Sequence, residues 1–285
     1  MTGPAAVTHR DVDAGGLRVH LAEAGPPDAP PVLLLHGWPQ THRCWRHVVP
    51  LLAADHRLLM PDLRGFGRTE APGTGMDPET FAADQLALLD ALGIERAHLA
   101  GHDWGGYTSF LLAARHPDRI AAVLVCNAPH PWVRPRPRLL LEAWRAWYAV
   151  ALAFPLAGPL LRRTGLVARA IAGDTRGRGV TPEDLEAFAA ALRPPERVRA
   201  TQLLYRAYLR RLAAVARGGP APPPLRVPAH LLFGRRDRAI PTALVEGFPG
   251  VELVDAGHFV VDERPDLVAR AARDVFGRAA LSAPA

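Results

Sequence analysis

Residues 100–106 read Ala100-Gly101-His102-Asp103-Trp104-Gly105-Gly106, AGHDWGG, and follow directly on the apolar stretch Ala97–Leu99. A glycine, one residue, a polar residue, one residue and a second glycine is the spacing of a nucleophile elbow. Such a sharp strand-to-helix turn lifts its central side chain to the carboxyl edge of a sheet, at a helix amino terminus. The central residue of this turn is usually serine; here it is an aspartate. The competing reading makes Asp103 no more than the cap of the helix that follows.

Outward from this turn, apolar runs of strand length alternate with helix-length periodic segments. Strands are expected at Val32–Leu35, Leu58–Met60, His98–Ala100, Ala121–Cys126, His230–Phe233 and Val251–Val254. Helices are expected near Trp45–Ala54, Glu79–Leu92, Tyr107–Arg115, Leu244–Gly247 and Pro265–Phe276. Asp77-Pro78-Glu79 is a helix start, with a capping aspartate and a proline in the first turn. The alternation argues for a parallel sheet with helices on both faces, and Leu17–Ala22 should add an antiparallel edge strand. Between Asn127 and Gly219 the rhythm gives way to arginine- and alanine-rich helical segments, one opened by the capping signature Thr181-Pro182-Glu183-Asp184. GGPAPPP (Gly218–Pro224) closes the stretch as a stiff linker. The expectation is an α/β core built from 1–129 and 220–285, with a helical cap inserted at 130–219.

A chain of 285 residues with 49% hydrophobic content can bury a sizeable core and is not disordered. All 34 basic residues are arginine, and the net charge of +6 is uneven. Residues 134–217 hold 16 Arg against 6 acids, a surplus of +10, while the remainder holds 18 against 22, or −4. Such a patch can attract nucleic acid or anionic lipid. No nucleic-acid motif accompanies it, so it reads as solvated surface. Cys44 and Cys126 have neither metal-ligand spacing nor a disulfide framework. The amino terminus lacks the cationic start and apolar core of a signal peptide. The longest apolar run, the sixteen residues Ala146–Leu161, is broken by Pro155 and Pro159 and falls short of the ~20 a spanning helix needs. It reads instead as a helix over a greasy cavity. A reduced, cytoplasmic protein without a membrane segment or nucleic-acid partner is expected, its oligomeric state open, a homodimer included.

Two partners for Asp103 follow in chain order. Asp237 lies in FGRRDRAIP (Phe233–Pro241), after the strand that resumes the sheet, and His258 lies in DAGHFVVDERP (Asp255–Pro265), after the last strand. A histidine acts as a general base when an acid orients its ring and stabilises the imidazolium, and Asp237 suits that task. The alternative for Asp237 is a solvated loop acid paired with Arg235, Arg236 or Arg238. A third element, LLHGWPQ (Leu34–Gln40), again follows a buried strand. Its His-Gly turn lets the N–H of Trp38 join that of Trp104 in an oxyanion hole.

These pieces in this order resemble the α/β-hydrolase superfamily over nearly the whole chain and, within it, the epoxide hydrolase branch. The matching motifs are HGWP (His36–Pro39), PDLRGFGRT (Pro61–Thr69), GHDWGG (Gly101–Gly106), NAPHP (Asn127–Pro131) and GHF (Gly257–Phe259). The resemblance implies an α/β-hydrolase fold, with a mostly parallel central sheet flanked by helices and an inserted helical cap. It implies neither a metal nor an organic cofactor.

Carboxylate chemistry points the same way. Attack on an ester or amide carbonyl would give an anhydride. Attack on a saturated carbon bearing a strained oxygen or a halide gives an ordinary alkyl ester, which water can open. Asp103 would displace, and His258 with Asp237 would then activate water against the Asp103 carbonyl while the oxyanion hole holds the charge. An epoxide also needs a proton for its leaving oxygen, and a tyrosine can give one while remaining protonated at neutral pH. Of the four tyrosines, Tyr148, Tyr205 and Tyr208 fall within the expected cap, and Tyr107 does not. By the resemblance, Tyr148 and Tyr205 are the proton donors. Tyr208, on the same helical face as Tyr205, is the substitute and, with Trp38 and Trp104, a substrate contact. Ala153 stands where many family members carry glutamine.

The implied substrate is a small hydrophobic epoxide. Haloalkane dehalogenases share the aspartate and the tryptophan after it, but commonly place an asparagine where this chain has Trp38. Fluoroacetate dehalogenases usually carry arginine where it has Trp104. A further alternative is a silent small-molecule receptor on the same fold.

Overall fold

The structure is a computed structural model and describes residues 6–133, 144, 147–154, 158, 161–162 and 165–279. In chain order the first half comprises β1 (Thr8–Ala14), β2 (Leu17–Ala24), β3 (Pro31–Leu35), α1 (Val49–Leu52), β4 (Arg57–Pro61), α2 (Pro78–Ala91), β5 (Ala97–His102), α3 (Trp104–Arg115) and β6 (Ile120–Cys126). Among the described residues, helices α4 (Trp147–Ala153), α5 (Leu166–Thr175), α6 (Pro182–Ala191) and α7 (Pro195–Ala216) then precede the next strand. The chain closes with β7 (Ala229–Gly234), β8 (Val251–Val254), α8 (Val260–Glu263) and α9 (Pro265–Phe276).

The eight strands form one sheet in the order β1-β2-β4-β3-β5-β6-β7-β8. β2 runs antiparallel to both β1 and β4, and every other pairing is parallel. The register sets Leu33 opposite Leu99 and Leu99 opposite Val123. β5 and β6 are buried at every residue, as expected of parallel strands covered on both faces. Helix α3 packs on β5 and β6, and α9 packs on β6 and β7. Because β3, β5, β6, β7 and β8 are parallel, their carboxyl ends share one edge. The segments His36–Trp38, Asp103, Asn127, Asp237 and His258 each follow one of those ends.

The six strands expected from apolar runs are present, mostly one residue longer at an end. Asp77 caps α2 through a hydrogen bond from the Thr80 N–H at 2.9 Å. Thr181 and Asp184 form the reciprocal capping box that opens α6.

Three expectations need correction. β2 is not the edge strand, because β1 lies outside it, joined through a two-residue turn in which Gly15 and Gly16 have φ of 64° and 88°. THRDVDA is too polar to announce itself, since an outermost strand buries almost nothing. The helix expected at Trp45–Ala54 is a 3₁₀ turn over His42–His47 followed by the short α1. Pro50 has no N–H to continue a helical ladder, so the two turns stay separate. At Leu244–Gly247 only a 3₁₀ turn, Thr242–Leu244, forms.

The helices between β6 and β7 are tied to the sheet by charge as well as by packing. Arg46 pairs with Asp184 of α6 at 2.9 Å and with Asp262 of α8 at 2.6 Å, and Arg43 also reaches Asp184 at 2.9 Å. Asp262 is buried, and its other partner is the Gln40 amide at 2.7 Å. Among the described residues no helix is long and apolar enough to cross a membrane. Within the apolar run Ala146–Leu161, residues 146, 155–157 and 159–160 lie outside the described set.

Arg46→Ala should therefore leave a buried carboxylate unpaired and lower the unfolding free energy by about 3–5 kcal/mol. Denaturant titration against the parent chain measures this, and a loss under about 1 kcal/mol would contradict the account.

Candidate active site

Asp103 is the residue between β5 and α3, held at φ 51° and ψ −117°. A positive φ on a non-glycine residue costs of order 1–3 kcal/mol and is kept only where its surroundings enforce it. Here the glycines enforce it by letting the backbones close in. A Cβ on Gly105 would lie 2.2 Å from the Leu35 carbonyl oxygen, and one on Gly101 would lie 2.4 Å from the Gly105 carbonyl oxygen. Asp103 stands at the N-cap position of α3, but its side chain does not make the usual capping bond to the first turn, so capping is not what its carboxylate is held for. Its Oδ2 instead accepts the backbone N–H of Trp38 at 2.9 Å, and the Trp104 N–H also bonds the carboxylate. Gly37 makes room for this contact, since a Cβ there would sit 2.4 Å from the Asp103 Cβ.

The other carboxylate oxygen, Oδ1, faces His258 Nε2 at 3.9 Å, beyond a direct hydrogen bond. His258 Nδ1–H donates to Asp237 Oδ2 at 2.9 Å, which turns Nε2 toward Asp103. Asp237 is buried rather than solvated. Its Oδ1 accepts the Ala239 and Ile240 N–H groups, both at 2.8 Å. The arginines set against it go elsewhere: Arg236 pairs with Asp255 and Glu263, while Arg235 and Arg238 are exposed, with Arg238 on the wall of the cavity above the carboxyl edge.

Two supporting residues escaped the sequence reading. Asn127, at φ 43° just past β6, donates Nδ2–H to Asp237 Oδ2 at 2.7 Å and to the Gly257 carbonyl at 3.2 Å. Its Oδ1 accepts the Gly234 N–H at 3.1 Å. One asparagine thus joins the ends of β6 and β7 to the turn before His258. The only signal was a polar residue directly after a fully apolar strand. His102, inside the elbow motif, donates Nε2–H to the His258 carbonyl at 2.8 Å. Burial keeps its ring neutral, with a pKa near 3.

Above the carboxyl edge lies a cavity of about 730 Å³, lined by Asp103, His258, Trp38, Tyr148 and Tyr205 among mainly apolar side chains from α4 and α5. Tyr148 and Tyr205 meet edge to face with ring centroids 6.0 Å apart. Tyr205 shares a side-chain hydrogen bond with Trp104, and burial holds its phenol well above the usual range, so it stays protonated. The Trp38 indole N–H donates to Thr201 Oγ1 of α7 at 3.1 Å. Tyr208 is not on the cavity wall; its ring packs edge-on to Trp104 at 5.4 Å. Tyr107 accepts from Arg211 Nε at 2.6 Å and also stands apart.

Among the described residues, His20, His42 and Asp62 could offer three donor atoms to a cation. Both ring Nδ1 atoms are already hydrogen-bonded to the Asp62 carboxylate, at 2.8 and 2.9 Å, which also accepts the N–H groups of His42 and Arg68, each at 2.9 Å. The cluster fixes the loops behind the Trp38 turn.

The fold and site define a class. The family model of the alpha/beta hydrolase fold matches residues 30–265, and the chain belongs to that family. The chain is 42% identical over 127 residues to Epoxide hydrolase A of Mycobacterium tuberculosis, a match covering 44% of this chain and 39% of that protein. It is 32% identical over 211 residues to a fluoroacetate dehalogenase of a Burkholderia species, covering 70% and 68%. The solved structure of the epoxide hydrolase CorEH without ligand superposes with a TM-score of 0.76 at 28% identity, covering 96% of this chain and 99% of that one. The chain spans about two fifths of the length of two epoxide hydrolase relatives it matches, 39% and 42%.

Charge in the site is dominated by burial and by three acids around one imidazole. Burial pushes the Asp103 carboxyl up to about 6, against the pull of His258 and of the Trp104 and Trp38 N–H groups. For His258, burial disfavours the imidazolium, but Asp237 first, then Asp103 and Asp174, outweigh it and raise the ring to about 9. A histidine that binds its proton more tightly folded than unfolded stabilises the fold fully below its ordinary value of 6.5, and that contribution disappears as pH rises through about 9. Asp237→Asn should lower the His258 titration midpoint by about one unit or more, read by the imidazole NMR shift. An unchanged midpoint would mean that Asp237 does not hold the ring's charge.

Proposed function

We propose that this protein is an epoxide hydrolase, in which residues 130–219 form a cap over an α/β core made of 1–129 and 220–285. The substrate would be a small hydrophobic epoxide, matched to the mainly apolar cavity wall. Asp103 Oδ1 attacks an oxirane carbon, the carbon–oxygen bond breaks, and Tyr148 and Tyr205 donate the proton that the departing oxygen needs. The product of this step is an alkyl ester on Asp103. His258 Nε2, oriented by Asp237, then takes a proton from water as that water attacks the Asp103 carbonyl carbon. The developing oxyanion stays where Oδ2 already sits, on the N–H groups of Trp38 and Trp104. Collapse releases the vicinal diol, whose leaving alcohol oxygen takes the proton from His258; the second proton of the water, left on the Asp103 carboxyl, returns to the tyrosinate and restores both the carboxylate and the phenol.

The observation that favours this reading most is the placement of Tyr148 and Tyr205 in the same cavity wall as Asp103 and His258. Electrostatics supports the order of steps. Asp103 is ionised above about pH 6 and can attack. Esterification then removes its charge, one of the groups that keep His258 protonated, and so makes the ring a more available base for the second step.

The similarity to a fluoroacetate dehalogenase favours a second reading, alkyl-halide hydrolysis by the same aspartate. Halide release needs side-chain N–H donors. The Trp38 indole is engaged by Thr201, and Trp104 shares its side-chain hydrogen bond with Tyr205.

A panel of epoxides and haloalkanes, assayed for diol and for free halide, decides between them: diol without halide supports the first reading, halide without diol the second. Tight binding with neither product would indicate a receptor. His258→Gln should form the ester and stall, leaving an adduct on the peptide that contains Asp103. Tyr148→Phe and Tyr205→Phe should each slow ring opening by about 10²–10⁴-fold. Wild-type rates in both tyrosine variants would place the proton donor elsewhere.

A further inference from the structure

Helix α5 carries an acid that none of the steps above uses. Asp174, one residue from the end of that helix, extends its carboxylate to the loop that holds His258. Asp174 Oδ2 accepts the His258 backbone N–H at 2.5 Å, and the Phe259 N–H bonds the same carboxylate. The opposite side of the His258 residue is held by the core, because its carbonyl accepts from His102 at 2.8 Å. The peptide backbone of His258 is thus clamped between the elbow and α5. Gly257 answers to the same contact, since a Cβ there would lie 2.3 Å from Asp174 Oδ2. Asp174 also faces the cavity, and burial raises its carboxyl above the ordinary range even with these donors bound. A cap-helix acid kept only for packing would have no reason to sit there, half-desolvated, when a neutral side chain of the same shape would avoid that cost.

From this we infer that Asp174 is a positioning residue for ester hydrolysis: its carboxylate fixes the backbone of His258 and adds a third negative charge beside the imidazole, coupling the base to the seating of α5. The inference rests on His258 acting as the base. Among the described residues, the charged and titratable groups around His258 are Asp237 from the loop after β7, Asp103 from the elbow, His102 from the end of β5 and Asp174 from α5, with Arg238, Tyr148 and Tyr205 on the same cavity wall. Alkylation neutralises Asp103 during the reaction, which leaves Asp237 and Asp174 as the two anions that stabilise the imidazolium when water is deprotonated. Asp237 acts on the ring nitrogen directly. Asp174 acts through the main chain and at longer range, so its removal should shift the base without abolishing it.

Two variants separate position from charge. Asp174→Asn keeps an acceptor oxygen for the two N–H groups and removes the charge; Asp174→Ala removes both. In single-turnover experiments on the full chain, Asp174→Ala should slow ester hydrolysis by about 10–100-fold, the range a misplaced catalytic group produces, and should slow alkylation less, so that the Asp103 ester accumulates. Asp174→Asn should hydrolyse the ester faster than Asp174→Ala, with the acid limb of its pH profile moved to lower pH. The His258 NMR titration midpoint in Asp174→Asn should fall in the absence of any substrate. Equal slowing of both half-reactions in Asp174→Ala, or an unmoved His258 midpoint in Asp174→Asn, would overturn the inference and leave Asp174 a structural tether. If the parent chain yields no diol yet the midpoint still moves, the proposed activity fails while the coupling of Asp174 to His258 stands. Should Asp174→Ala not fold, the midpoint in Asp174→Asn decides alone.

Discussion

The contact between the Trp38 N–H and Asp103 Oδ2, at 2.9 Å, is the constraint from which the rest of the site follows. It requires a carboxylate to be lifted off its helix, a glycine at 37 to let it pass, and glycines at 101 and 105 to let two strands and a helix converge behind it. The backbone at Asp103 is strained in consequence, and burial in the fully buried centre of the sheet keeps that strain in place. One oxygen of the carboxylate is fixed on main-chain donors, while the other points at the histidine. A serine in this turn would carry a single oxygen and could not occupy both positions at once. The aspartate therefore arrives with the oxyanion site already filled by one of its own atoms, in the place where charge would develop during ester hydrolysis.

Around that contact the protein gathers three acids, Asp103, Asp237 and Asp174, against one imidazole. Two of them are buried anions whose desolvation is offset by donors from separate elements: Asn127, Ala239 and Ile240 for Asp237, and Trp38 and Trp104 for Asp103. The third belongs to α5, one of the helices between β6 and β7. These helices thus meet the rest of the chain electrostatically as well as through apolar packing, and the Arg46 bridge to Asp184 of α6 and to Asp262 repeats the pattern.

Much of this was legible in the chain itself, for physical reasons. Parallel strands buried on both faces must be apolar throughout, so β3, β5, β6 and β7 declared themselves, and the polar residues beyond strand ends stood out, Asp103 after β5, Asp237 after β7 and His258 after β8. The capping residues Asp77 and Thr181 were equally plain because cap chemistry is local. What did not show was whatever depended on tertiary placement. β1 is polar since an edge strand need not hide its faces. Pro50 divided a segment whose periodicity still looked helical. Asn127 and Asp174 serve the site through groups far away in sequence, and no spacing rule links them to His258. The choice between Tyr205 and Tyr208 was open on helical spacing, and the cavity wall takes only Tyr205.

The central claim is that Asp103 itself becomes esterified. A single turnover with excess protein in ¹⁸O-labelled water tests it most directly. The account predicts a diol that carries no heavy oxygen, with the label recovered in the peptide that contains Asp103. Label appearing in the diol, with that peptide unmarked, would mean that water attacks the substrate itself and would contradict the account.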